Sequence, residues 1–327
     1  MAATTKTRVL MTGATGFVGR HLMRELDGGT FEMAGTSFPE APAEGVGNIV
    51  RLDLRDRRDL DGFVREVKPE WVFHLAAVSN VGASWERREE TFDTNLTGTF
   101  NLFESVRRHV PECRVLYVSS SDVYGIVTEK GKILTEDEPA HAVNPYAYTK
   151  AAGEMLARFY AEADRIGAVI VRPFPHTGPG QTEDFVCSDW ARQIVRIERG
   201  ESEPVIAVGN LDVRRDFSDV RDIVRAYRML LEKGRAGEIY NVCSGRAVAL
   251  REIMEMLLRQ AALPGPGMTI GVEVDSAKLR KIDVPLLVGS NAKIRRETGW
   301  GPEIPLERTL SNLLSFWRSA LAAGYYR

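Results

Sequence analysis

Two short stretches of this chain hold side chains that could move a proton together. Ser119-Ser120-Ser121-Asp122-Val123-Tyr124 follows the apolar run 115–118, which puts its hydroxyls at the carboxyl end of a strand. Tyr146-Ala147-Tyr148-Thr149-Lys150 opens a segment with helical spacing that runs to about residue 166. A phenol and an ammonium four residues apart therefore share one face. A tyrosine titrates near about 10, too high to trade protons at neutral pH, and a lysine cation beside it is expected to lower that value. Ser120 could hold a carbonyl or carbinol oxygen next to Tyr146. The group is a relay for interconverting an alcohol and a ketone, and Asp122 adds a carboxylate beside it. Such chemistry needs a hydride carrier.

The elements before the relay supply a place for one. Residues 8–12 read as a buried strand, followed at once by Gly13-Ala14-Thr15-Gly16-Phe17-Val18-Gly19, and Val18, Leu22, Met23 and Leu26 then recur at helical spacing. A strand, a glycine turn and a helix offer backbone N–H groups and a helix amino terminus to a pyrophosphate. Gly13, Thr15, Gly16, Phe17, Val18 and Gly19 are the candidate contacts. The second strand, 31–36, ends in Thr36-Ser37-Phe38, with Ser37 at the adenosine ribose. An acid there would bind the 2′-hydroxyl of NAD, and an arginine would favour the 2′-phosphate of NADP. Neither is present. Without the carboxylate NADP is not repelled, and without the arginine it lacks its usual partner, so NADP is favoured and NAD remains possible.

Residues 48–52 form a third strand closed by Asp53 and Leu54. Asp53 could accept from the adenine amino group or cap the next helix. Residues 71–77 read as a further buried strand, with Leu75, Ala76 and Ala77 where backbone passes close to the cofactor. His74 in it reads as a structural histidine. Residues 91–110 read as one long helix carrying Phe92, Leu96, Phe100 and Phe103. Strands alternating with helices imply an α/β fold with a doubly wound parallel sheet, and ligands bind such sheets outside the carboxyl ends of the strands. The serine cluster and the glycine loop should open into one crevice.

At 327 residues the chain sits near the size at which one core begins to divide. A hydrophobic share of 44%, a charged share of 27% and a net charge of -2 are ordinary for a globular protein and give no reason to expect nucleic acid or an anionic membrane. No apolar run reaches the roughly 20 residues that span a bilayer, and the first residues have no apolar core of a signal peptide. Cys113, Cys187 and Cys243 are far apart and form no Cys-x-x-Cys pair, so we expect buried free thiols in a reducing cytoplasm and no metal site.

The stretches Thr12 to Gly19, His74-Leu75-Ala76-Ala77, the serine cluster and Tyr146 to Lys150 resemble the extended short-chain dehydrogenase/reductase family of nucleotide-sugar enzymes, over nearly the whole chain. The resemblance implies that Tyr146 gives or takes the proton. Lys150 binds the nicotinamide ribose and lowers the tyrosine pKa, and Ser120 holds the sugar oxygen. It implies a Rossmann-type cofactor domain of residues 1–173 with about 211–240. A smaller mixed α/β domain, about 174–210 and 241–327, would bind the nucleotide sugar. It also implies a homodimer through segments 91–110 and 146–166.

Family 4,6-dehydratases place Thr at 120 and Glu at 122, where this chain has Ser120, Ser121 and Asp122. Asp122 is one methylene shorter, which weakens C5 proton abstraction without removing the carboxylate. Ser121 falls on the substrate side. The crossing Arg172 to Gln181 usually carries Asn at 175; Pro175 cannot donate that bond, and His176 is either a substrate contact or a loop residue. Gly209-Asn210-Leu211-Asp212-Val213-Arg214-Arg215-Asp216-Phe217 resembles the GDP-mannose dehydratase and GDP-4-keto-6-deoxymannose reductase group. Asn210 and Arg215 are its substrate candidates, because a guanidinium fork matches two phosphate oxygens. Arg280, in a run resembling Arg-Pro-x-Glu-Val-Pro, is a second phosphate candidate.

The long segment that typical GDP-mannose dehydratases carry after the second strand is missing here. The resemblance therefore implies an NADPH-dependent reductase of a GDP-4-keto-6-deoxy-hexose. The alternatives are a GDP-mannose 4,6-dehydratase or an enzyme doing both steps, then a UDP-sugar 4-epimerase, then a catalytically silent nucleotide sensor.

Overall fold

The computed structural model describes residues 6–40, 48–127, 129, 131–263, 265, 267–279 and 284–324. Seven parallel strands form its central sheet: β1 (Thr7–Thr12), β2 (Phe31–Ser37), β3 (Asn48–Arg51), β4 (Trp71–His74), β5 (Arg114–Val118), β6 (Gly167–Pro173) and β7 (Ile239–Val242). Their spatial order is β7-β6-β5-β4-β1-β2-β3. The order reverses between β1 and β4, the switch point where doubly wound sheets bind ligands.

The apolar runs of these strands are explained by burial on both faces. Successive side chains point to opposite sides, so Leu10, Val115, Tyr117, Ala168 and Ile170 join one cluster, with Leu60, Phe63, Leu102, Phe103 and Tyr160. Val9, Met11, Leu116, Val169 and Val171 join the other, with Leu22, Ile223, Tyr227, Leu230 and Trp300. A third core gathers Trp190, Ile194, Ile206, Phe217, Ile253, Leu257, Leu313 and Trp317. The helices Val186–Glu198, Leu250–Leu258 and Leu306–Ala322 enclose it, with short strand pairs around it.

Two expectations change. The segment 91–110 is not one regular helix: Arg88–Phe92 and Gly98–His109 are joined by a π-helical turn, Asp93–Thr97. The wider turn rotates Asn95 inward, where it is 2% exposed, accepts from Val78 N, and donates to Val78 O and Thr149 Oγ1. The strand read over 71–77 ends at His74, which leaves Leu75 to Ala77 as irregular backbone facing the glycine loop. The short strands His176–Thr177, Arg214–Asp216 and Ala247–Ala249 carry too few residues to show a period, and only their partners define them. The three cysteines are buried and unpaired, with burial pushing the Cys187 thiol up to about 12.

Candidate active site

The glycine loop lies between β1 and the helix α1 (Phe17–Leu26). Gly13 has φ +70, and a Cβ there would lie 3.0 Å from the Ala76 backbone. A Cβ on Gly19 would reach the carbonyls of Gly13 and Ala14 at 2.5 Å. Only glycine lets the loop, the first turn of α1 and the stretch after β4 come this close. Gly16 caps α1 with no side-chain bond, so the N–H groups of the first turn remain for a phosphate. Thr15 Oγ1 lies 2.9 Å from Ser37 Oγ, joining the loop to the end of β2. These residues fit a dinucleotide.

Asp53 does not cap the following helix. Asp56 does, accepting from Asp59 N, while Asp53 chelates Arg55, whose hydrogen bonds hold its carboxyl below the usual range. Leu54 is 4% exposed and packs in the core against Gly98, so its side chain is not offered to a ligand.

His74 is structural. Burial, then the Lys150 charge, push it down to about 3, so it is neutral. Its Nδ1 meets Thr12 Oγ1 and its Nε2 meets Thr99 Oγ1, each at 2.8 Å. Thr99 donates to Asn95 O, so Nε2 carries the proton and Nδ1 accepts. Thr12 Oγ1 in turn accepts from Ala76 N at 3.2 Å. The histidine thus braces β1, β4 and the Leu75–Ala77 backbone.

The relay residues meet. Ser120 lies two residues beyond β5 and caps the turn Ser121–Tyr124, its hydroxyl accepting from Asp122 N at 3.1 Å and lying 3.3 Å from Asp122 Oδ2. Asn144 caps the helix Pro145–Ala163, accepting from Ala147 N, which fixes Tyr146 in its first turn. Tyr146 is buried beside Ser120, whose hydroxyl favours the phenolate. Lys150 Nζ donates to Val118 O at 2.7 Å and sits 5.8 Å from the Tyr146 ring centroid. Ser121 is 2% exposed and turned into the protein.

One electrostatic expectation is corrected. Lys150 does not acidify Tyr146: burial first, then the Asp122 carboxylate, push the phenol above its ordinary value, and the Ser120 hydroxyl offsets only part of this. The ammonium gives one of its three protons to the Val118 carbonyl. Tyr146 is therefore protonated throughout the neutral range. Burial also depresses Lys150, to about 8, with Glu154 opposing it. Its cation is present below that pH and lost above it. We expect kcat/KM to be level below about pH 8 and to fall up to tenfold per unit above it. A profile that stays level to about pH 10 would remove the charged lysine from the reaction.

Behind the relay lies an ion pair that sequence reading missed. Arg172 Nε and Nη2 donate to the two oxygens of Glu154 at 2.9 and 2.7 Å, and both residues are under 5% exposed. Ser119 also donates to Glu154, and the guanidinium lies 4.6 Å from the Tyr124 ring. The position of Glu154 four residues after Lys150 was a usable signal. For Asn95 no signal existed, since it looked like a polar interruption in an apolar stripe.

The substrate candidates are more dispersed. His176 stacks on Phe17 at 6.2 Å and 10°, and Arg20 and His21 bond the carbonyls of Gly180 and Pro179, so the crossing after β6 sits on α1. Pro175 contributes only its carbonyl, to Ser218 N. Arg215 donates to Val284 O and Arg214 O. Asn210 closes a turn with Asp212 N and lines a groove of about 550 Å³ with Leu211, Met254 and Val272, which includes none of the relay residues. Arg280 lies outside the described residues. Among the described residues, no His, Cys, Asp or Glu cluster could hold a metal, and no helix is long and apolar enough to cross a membrane.

The model of the family described as GDP-mannose 4,6 dehydratase matches residues 10–313. The chain belongs to that family. Within the extended short-chain dehydrogenase/reductases, it is an NAD(P)-dependent nucleotide-sugar enzyme. It is 36% identical over 312 residues to the GDP-6-deoxy-D-mannose reductase of Pseudomonas aeruginosa, covering 95% of this chain and 97% of the other. A GDP-mannose 4,6-dehydratase of Yersinia enterocolitica is 29% identical, over 80% of this chain and 77% of its own. The solved structure of RMD from P. aeruginosa complexed with NADPH superposes with a TM-score of 0.84 at 35% identity, over 96% of this chain and 99% of that one.

Proposed function

We propose that this enzyme reduces the 4-keto group of GDP-4-keto-6-deoxy-D-mannose with NADPH, giving GDP-6-deoxy-D-mannose. The observation that carries the reading is the meeting of Tyr146, held by the Asn144 cap, with Lys150, anchored on Val118 O, and Ser120 after β5, the groups that give a proton to a carbonyl oxygen. The full-length likeness to the P. aeruginosa reductase supports it. When bound, the dinucleotide supplies the hydride to C4 of the sugar. Tyr146 gives its proton to O4, Ser120 steadies the developing oxyanion, and solvent restores the phenol proton. Lys150 holds the nicotinamide ribose. Leu75, Ala76, Ala77 and the glycine loop line the cofactor path, and His176, Asn210, Arg215 and Arg280 serve the nucleotide sugar.

Incubation with NADPH and GDP-4-keto-6-deoxymannose should consume NADPH in step with the ketone, and a flat NADPH absorbance would reject the reading. Asp122 favours a second activity, dehydration of GDP-mannose, because its carboxylate stands beside Ser120. We expect GDP-mannose without added NADPH to give no 4-keto product. Accumulation of that product would replace the first reading with the second.

Residues 1–173 with about 211–240 would then form the cofactor part and the remainder the sugar part. A homodimer in the cytoplasm completes the proposal. Its support is the apolar surface of the two helical segments: Phe92, Phe100, Met155 and Phe159 are 42%, 40%, 73% and 57% exposed. Sedimentation at micromolar concentration should give twice the chain mass, and Phe159→Glu should halve it.

A further inference from the structure

We infer that Arg51, at the end of β3, binds the 2′-phosphate of NADPH and sets the choice of NADPH over NADH. The inference rests on the NADPH reading above and names the residue behind it. No arginine follows β2, where the ribose-binding residue usually stands. The sheet brings one from the neighbouring strand. In the parallel register Arg51 pairs with Ser37, the last residue of β2, and Leu52 N donates to Ser37 O at 3.0 Å. Ser37 Oγ is 2.9 Å from Thr15 Oγ1 of the glycine loop and donates to Glu40 O at 2.7 Å. Ser37 and Thr15 thus meet where β2 ends, and Arg51 stands beside Ser37 in the sheet with its guanidinium on the 38–39 turn that follows.

The guanidinium is held in place without being used up. Its Nε donates to Pro39 O at 2.7 Å, and its Cζ lies over the Phe38 ring at 5.6 Å. Its two terminal nitrogens have no hydrogen bond or ion pair among the described residues. Arg55 stands over the same ring at 5.7 Å, but its charge is matched by Asp53. Arg51 is therefore the cation at this edge with a fork still open for phosphate oxygens. Its anchored Nε and stacked plane reduce the freedom lost on binding.

The test titrates NADPH and NADH into the full chain without sugar, following cofactor fluorescence, for the wild type, Arg51→Gln and Arg51→Lys. We expect the wild type to prefer NADPH. Arg51→Gln should weaken NADPH by about tenfold or more, the loss of a charge-assisted hydrogen bond, and NADH far less. Arg51→Lys should fall between, keeping the charge and losing the fork. Equal losses for both cofactors would make Arg51 a loop brace and overturn the inference, as would an unchanged preference in Arg51→Gln or a wild type that prefers NADH. Because sugar is left out, failure here is separable from failure of the reductase reading. A chain that binds NADPH through Arg51 yet leaves the ketone untouched would sink only the latter.

Discussion

Tyr146→Phe should lower kcat for ketone reduction by about 10²- to 10⁴-fold, the range that a positioned acid contributes, while NADPH still binds. The substitution removes one hydroxyl from a side chain that is 8% exposed and leaves the ring in its place at the helix start. The Asn144 cap, Lys150 and its bond to Val118 O are untouched. What goes is the proton that burial and Asp122 keep on the phenol. Single-turnover measurement of NADPH oxidation with the ketosugar separates this from a binding defect. A variant within tenfold of wild type would assign the proton to another group.

Arg172→Met should be the most destabilising single change near the site, costing about 3–5 kcal/mol, because it leaves the Glu154 carboxylate buried without its cation. The side chains of the pair are 4% and 6% exposed, so water cannot take over the missing bonds. The loss of the guanidinium from the Tyr124 ring adds to the cost. The double change Arg172→Met with Glu154→Leu should recover much of the stability, since a matched apolar pair carries no buried charge. Urea unfolding of the three variants measures the coupling. If the double variant were no more stable than Arg172→Met alone, the cost would lie in packing rather than in the orphaned charge.

The pair also connects the relay to the rest of the sheet. Ser119 is the residue before Ser120, and Glu154 lies one turn beyond Lys150 on the same helix. Arg172 is the last residue but one of β6, which pairs with β5, the strand that the serines follow. Relay geometry is thus tied to a neutralised charge pair at the back of the helix. Stability and positioning share the same residues here.

Much of this was readable in the linear chain. The glycine loop announced itself because a strand, a tight turn and a helix each leave a local pattern, and Gly13 and Gly19 prove to be the positions where a Cβ would collide with backbone. The parallel sheet followed from strands alternating with helices along the chain. Tyr146 and Lys150 share a face because helical spacing is a property of adjacent residues. The likeness carried by the Gly209 to Phe217 segment points to a GDP-sugar.

What spacing along the chain determined was which chemistry is present: a hydroxyl, a phenol and an ammonium at strand and helix ends beside a phosphate-binding loop. What only the tertiary structure decided was the state and company of those groups. The phenol is raised rather than lowered, because dehydration and the charge of Asp122 act through space and outweigh a lysine engaged with Val118 O. Asn95 reaches Val78 and Thr149 through a π turn that no hydropathy pattern marks. Arg51 arrives beside Ser37 only through the pairing of β2 with β3. Burial and strand register depend on residues distant in sequence, and local composition does not contain them.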